Sequence, residues 1–130
     1  MPLYLLDTNV LIDLTGERRS RPFFDHLVQE PDNRLVTSIL CVAEFFGGAR
    51  TLEASFLKNW IQSDELDLLY VDSVEDAIRA WEIRKRYRLT LPDSLILAAA
   101  KRHRASFLTH DHDFLNKARH VVRAQDPLEF

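Results

Sequence analysis

Short apolar runs alternate with stretches of helical periodicity along this chain. Leu3-Tyr4-Leu5-Leu6 is apolar at every position and stops at Asp7, the pattern of a strand buried on both faces. Leucines then resume, and residues 10–14 predict a short helix closed near Gly16. Pro22-Phe23-Phe24 opens a second helix carrying Leu27 and Val28, and Pro31-Asp32-Asn33 makes a turn. Leu35-Val36-Thr37 predicts a strand, Ser38 caps a helix running to Gly47-Gly48, and helical pattern continues over 51–61. Residues 68–71 predict a third strand. Val74, Ala77, Ile78 and Trp81 recur at helical spacing and predict the inward face of a helix over 73–87. Pro92 suits the first turn of the next helix, whose Leu95, Ile96, Ala99 and Ala100 face inward. Ser106-Phe107-Leu108 predicts a fourth strand, residues 113–118 a short helix, and Val121-Val122 a last strand.

Strands interleaved with helices predict an α/β fold in three layers, α/β/α, around a mostly parallel sheet of four to five strands. No linker, repeat or low-complexity tract interrupts the pattern, so residues 1–130 are expected to form one domain. In open sheets of this kind ligands bind outside the carboxyl ends of the strands. Asp7 ends the first strand, and Asp111 follows the Phe107-Leu108 strand in "LTHDHDF". Glu44 lies about two turns into the helix after the second strand, and Asp93 in the first turn of the helix "LPDSLILAAA".

Each acid has an ordinary structural reading. Asp7 can cap the helix that follows it. Asp93 can answer the helix dipole, and Asp111 and Asp113 can be turn residues. Glu44 is the one charged residue in "ILCVAEFFGGA", so burial is expected for it, with a partner such as Arg50 or a metal ion to compensate. Carboxylates gathered at one sheet edge repel one another and raise one another's pKa values, which a divalent cation relieves. Oxygen ligands without cysteine or paired histidines favour Mg²⁺ or Mn²⁺ over Zn²⁺. Such a centre suits phosphodiester hydrolysis, because it activates water and stabilises displacement at phosphorus. His110 and His112 are expected to be exposed loop residues, and Cys41 a small core residue. Trp60, Trp81, Phe45 and Phe46 are expected in the core or at an interface.

Charge changes the picture only locally. The net charge of −3 argues against a bulk nucleic-acid binder, yet residues 66–130 hold eleven of the seventeen lysines and arginines. Arg84, Lys85 and Arg86, or Lys101 and Arg102, are the clusters expected to contact a phosphate backbone, the alternative being solvated helix faces. A single cysteine excludes an internal disulfide framework. No apolar run reaches membrane-spanning length and no basic leader precedes Leu3, so no membrane association and a cytoplasmic location are expected.

Taken together, "LLDTNVLIDL", the glutamate of "SILCVAEFFGGAR", "LPDSLILAAA" and "LTHDHDF" resemble the PIN domain, in the form of the VapC-type ribonuclease toxins of toxin–antitoxin pairs. The resemblance covers nearly the whole chain and implies a Mg²⁺- or Mn²⁺-dependent endoribonuclease. It implies that Asp7, Glu44 and Asp93 are metal-binding acids, with Asp111 the fourth and Asp113 able to exchange roles with it. Asn9 then supports the first acid, and Thr109 is the small hydroxyl residue of the last motif. It further implies an RNA substrate, a homodimer, and a cognate VapB-like antitoxin that covers the acidic site. Two other classes stay open. One is an aspartyl-nucleophile phosphotransferase or phosphatase of the haloacid-dehalogenase-like kind, although position 9 is asparagine where those enzymes carry a second aspartate. The other is a non-catalytic binding module on the same fold.

Overall fold

The computed structural model describes residues 2–129. Its strands are β1 (Leu3–Leu6), β2 (Arg34–Ser38), β3 (Leu66–Leu69), β4 (Ser106–Leu108) and β5 (Ala124–Gln125). They form one parallel sheet in the order β3-β2-β1-β4-β5. The connecting helices are α1 (Thr8–Thr15), α2 (Arg21–Leu27), α3 (Ile39–Gly48), α4 (Thr51–Gln62), α5 (Val74–Tyr87), α6 (Leu91–Arg102) and α7 (His112–Ala118), and a 3-10 turn spans Pro127–Glu129. The layers are α/β/α, as the alternation predicts. No helix among the described residues is long and apolar enough to cross a membrane.

β1 is the central strand. Leu5 and Leu6 are fully buried and pack with Val36, Phe107 and Leu108 from the strands on either side. The register aligns Leu6 with Thr37 of β2 and with Leu108 of β4. One residue further on, Asp7 and Thr109 leave the sheet beside Ser38, the last residue of β2, and Asp7 N still donates to Leu108 O at 2.9 Å. The chain moves from β1 out to β2 and β3, then returns to the other side of β1 as β4. The order therefore reverses beside Asp7, and such a reversal opens the crevice in which parallel sheets bind ligands.

Three sequence expectations shift. β3 begins at Leu66, two residues early, because its register sets Leu66 against Leu35 and Leu69 against Ser38. Tyr70, placed in the strand by its apolar run, is 52% exposed. Val121 and Val122 form no strand. Their amides both bond to Ala118 O, folding them back on the end of α7, and β5 comes afterwards at Ala124–Gln125.

The third shift concerns α5, whose inward face is the opposite of the one predicted. Asp76, Ala80 and Ile83 are buried, whereas Val74 (75%), Ile78 (56%) and Trp81 (56%) are exposed. Two stripes compete on this helix, and α5 packs chiefly on α6, not on the sheet. An ion pair selects the stripe. Arg102 of α6 reaches Asp76 at 3.1 Å and Asp72 at 3.1 Å, which draws the polar-looking side inward.

Candidate active site at the carboxyl edge of the sheet

Asp7 is 6% exposed and held from several directions. Thr8 N donates to Oδ1 at 2.9 Å, a capping bond at the start of α1. Thr109 Oγ1 donates to Oδ2 at 2.8 Å, and Asn9 Nδ2 lies 3.4 Å from the same oxygen. Cys41 Sγ stands 3.8 Å from Oδ1, so this buried thiol belongs to the floor of the site as well as to the core. Burial pushes the Asp7 carboxyl up to about 6 against the hydrogen bonds from Thr109 and Thr8, and the charges of Asp93 and Glu44 add to the rise. Burial also drives the Cys41 thiol up to about 12, where it stays protonated and inert.

Thr109 is the hub behind Asp7. It is fully buried, donates to Asp7, and accepts from Asn9 Nδ2 at 3.2 Å and from Asp111 N at 3.1 Å. Asn9 Oδ1 in turn accepts from His110 N at 2.9 Å. Residues on the first helix and on the loop after β4 are thereby locked to one another.

The other acids approach from three helices. Asp93 sits in the first turn of α6, where Thr90 caps its amide at 3.2 Å. Burial raises its pKa against that hydrogen bond, and Asp111 raises it further. Glu44 is exposed, contrary to the burial expected of it. The buried positions of α3 are Cys41 and Phe45, so Glu44 lies on the exposed side of the helix. Its pKa is raised by partial burial and then by Asp93. Asp111 caps α7 by accepting from Phe114 N at 3.2 Å. Repulsion thus links Asp111 to Asp93, and Asp93 to Glu44 and Asp7. Among the described residues none of these four carboxylates forms an ion pair with a lysine or arginine, Arg50 included. No three of the four bring ligand atoms within 4.8 Å of one another. Asp113 is exposed and its side chain makes no hydrogen bond or ion pair among the described residues.

Sequence reasoning missed Asp126. This residue is 3% exposed, and its two oxygens take His110 Nδ1 at 2.7 Å and His112 Nε2 at 2.8 Å. His110 is consequently not the exposed loop residue expected, with only 15% of its side chain accessible, although His112 is 56% accessible. His112, Asp126 and Glu129 are the one His/Cys/Asp/Glu set among the described residues whose ligand atoms lie within 4.8 Å of one another. The signal in the sequence was two histidines flanking Asp111, but nothing local pointed to a carboxylate fifteen residues later.

The basic residues divide by position. α5 ends where the chain turns into α6, so Arg84, Lys85 and Arg86 lie at the end of α6 that carries Asp93. Lys101 and Arg102 lie at its other end, roughly 12 Å along the axis from Asp93. Arg102 is engaged by Asp72 and Asp76, which removes it from the free cations. Arg84 covers the Trp81 ring at 5.6 Å.

A parallel α/β sheet that collects carboxylates from its central strand and from the helices around it defines an acid-centred domain of the PIN kind. The PIN domain profile matches residues 4–120, and the chain belongs to that family. No curated protein sequence matches it. Among solved structures it resembles a toxin–antitoxin complex from Klebsiella pneumoniae at 28% identity and a TM-score of 0.72, over 95% of this chain and 97% of that one. It also resembles VapBC-1 from nontypeable Haemophilus influenzae at 22% identity and a TM-score of 0.74, over 96% and 98%. DNA-bound VapBC from Salmonella typhimurium aligns at 20% identity and a TM-score of 0.73, over 98% and 99%.

Proposed function

We propose that the protein is a Mg²⁺- or Mn²⁺-dependent endoribonuclease and the toxin of a VapBC-type toxin–antitoxin pair. One observation carries the reading: Asp7, Glu44, Asp93 and Asp111 gather at the strand-order reversal, the first three with raised proton affinity, and no lysine or arginine among the described residues pairs with any of the four. PIN membership over residues 4–120 and the likeness to VapBC complexes support it.

The all-oxygen donor set fits a hard divalent cation, which Asp7, Glu44, Asp93 and Asp111 would hold. When bound, such an ion supplies Lewis acidity toward a phosphodiester and its attacking water. Thr109 and Asn9 orient Asp7 by fixing Oδ2, and Thr8 N fixes Oδ1. Asp111 is the fourth acid in this reading in preference to Asp113, because it caps α7 and couples to Asp93. Asn9 is held between Asp7 and Thr109 and offers no acidic proton, which disfavours the aspartyl-phosphate mechanism. The test is cleavage of RNA by the purified protein in Mg²⁺, Mn²⁺ or EDTA. A divalent ion that relieves the repulsion should also raise the melting temperature, and Asp93→Ala should shrink that rise while leaving the EDTA melting curve close to wild type. Superimposable wild-type curves in Mn²⁺ and EDTA would remove the metal site.

Two surfaces suit the protein partners of this reading. A cavity of about 900 Å³ lined by Leu14, Phe24, Leu35, Phe56 and Trp60, with Arg18 at its rim, offers an antitoxin segment an apolar bed. Trp60 lines this cavity, whereas Phe45 is buried at 2% and Phe46 lies outside that lining. The exposed stripe Val74, Ile78 and Trp81 is assigned to a second copy of the chain, antiparallel about a twofold axis. The acidic first turn of α5 then faces the basic last turn of its mate. Trp81→Glu should shift the sedimenting species from dimer to monomer without lowering helix content. A wild-type protein that sediments as a monomer at high micromolar concentration would end the dimer assignment.

A further inference from the structure

A second charged feature is lined by none of the four acids. Arg79 and Arg86, two helical turns apart on one face of α5, border a cavity of about 380 Å³ together with Tyr87, Lys101 of α6 and His120. Against these three cations the lining holds one acid, Glu82.

These cations are not neutralised by carboxylates of the fold, and what sets them apart from the other unpaired basic residues is that they share one cavity. Arg21 pairs with Asp25, Arg34 with Asp67, and Arg102 with Asp72 and Asp76. Among the described residues Arg79, Arg86 and Lys101 form no ion pair. Arg86 lies over the Tyr87 ring at 5.5 Å, and Lys101 Nζ gives one of its three donors to Val121 O at 3.3 Å. The Tyr87 and His120 rings stack at 5.8 Å with a 17° tilt. In a protein of net charge −3, an unneutralised cationic cluster beside a partly exposed aromatic stack is a local field of the opposite sign to the whole. Cations that track a backbone, next to a flat ring on which a base can lie, are the two elements of single-strand recognition.

We infer that this cavity binds a phosphodiester of single-stranded RNA other than the one being cut. The inference rests on the ribonuclease reading for its biological sense, but its binding chemistry stands separately. Of Arg84, Lys85, Arg86, Lys101 and Arg102, this site keeps Arg86 and Lys101 and adds Arg79; Arg84 and Lys85 do not line the cavity, and Arg102 is paired with Asp72 and Asp76.

The test is the anisotropy of a labelled single-stranded RNA titrated with the full-length chain in EDTA, so that binding is read without cleavage. Arg79→Ala/Lys101→Ala should bind about tenfold more weakly and lower the slope of log affinity against log salt by about 1.4, two contacts at roughly 0.7 each. Arg123→Ala, an exposed charge outside the cavity, should change affinity less than twofold. Under Mg²⁺ or Mn²⁺ the double variant should raise KM for a long RNA at unchanged kcat and leave a dinucleotide substrate unaffected. Equal losses in the double variant and in Arg123→Ala would reduce the effect to bulk charge and overturn the site. So would inorganic phosphate that displaces the RNA at an equal concentration of phosphate groups, since the cavity would then hold a free anion. If the protein binds RNA through these residues yet cuts none, the ribonuclease reading falls and the site stands. If the double variant binds and cuts long RNA like wild type, the site falls and the ribonuclease reading stands.

Discussion

Asp7→Asn is expected to cut RNA cleavage roughly a thousandfold or more while making the metal-free protein more stable at neutral pH. The two effects have one cause. Burial, with the added charges of Asp93 and Glu44, lifts the Asp7 carboxyl from 3.8 to about 6, so the ionised form is costly to fold. A rise of that size opposes folding by about 3 kcal/mol once the group is fully ionised. Asparagine removes that penalty but mismatches one of the donors facing Asp7, a loss of about 1 kcal/mol. The net gain is about 1–2 kcal/mol, or roughly 4–7 °C in melting temperature for a chain of this length. The raised pKa gives the pH dependence its sign. The unfolded carboxyl ionises first, so wild type loses stability as pH rises from about 4 through 6, and the advantage of Asp7→Asn grows over that interval. Melting curves in EDTA at pH 4.5 and 7.5 read this directly. In cells, the wild-type chain expressed alone should arrest growth, a cognate antitoxin should relieve the arrest, and Asp7→Asn should be harmless. A variant that still cleaves RNA, or that melts below wild type at pH 7.5 in EDTA, would break the link between burial and function at this position.

That link was partly legible in the amino-acid order. An apolar strand ending in aspartate places the residue at a sheet edge, and the strand–helix alternation puts that edge in a parallel sheet. Asp93 was legible for a similar reason, since Pro92 marks the first turn of the helix that holds it. Glu44 was placed on the right helix but given the wrong environment, because an apolar neighbourhood in sequence does not say which side of a helix meets the sheet. The same ambiguity reversed α5, where Val74, Ile78 and Trp81 form a periodic stripe as good as the buried one. Only the pairing of Asp76 with Arg102, 26 residues apart, decides between them. Contacts of that separation leave no local pattern. The last strand failed on a different ground. Two residues form it, and the more β-prone Val121-Val122 pair is held instead by the end of α7.

Asp126→Ala is expected to have the largest effect on stability of any substitution outside the hydrophobic core, about 3 kcal/mol or roughly 10 °C in melting temperature. Asp126 ties β5 and the 3-10 turn to the loop that carries Thr109 and Asp111. Burial alone would raise its pKa, but hydrogen bonds from His110, Leu128 N and His112 outweigh it and hold the carboxyl below its usual range. A depressed acid stabilises the fold above about pH 4, and that contribution fades as pH falls through the lower folded value. His112 behaves inversely. Its hydrogen bond to Asp126 raises its pKa, so its contribution is complete below about 6.5 and fades as pH rises through the folded value. The pair is strongest between those limits, and alanine at 126 should flatten both flanks of the wild-type stability curve. Because His110 N also holds Asn9, and Asn9 contacts Asp7 and Thr109, loss of the anchor should reach the acids and slow cleavage by roughly 10- to 100-fold in the fraction that stays folded. Melting temperatures of wild type and Asp126→Ala from pH 4 to 8, with cleavage measured well below either transition, separate the two effects. Parallel curves across that range would show that the histidines gain nothing from the carboxylate, and unchanged cleavage would confine Asp126 to holding the C-terminal turn.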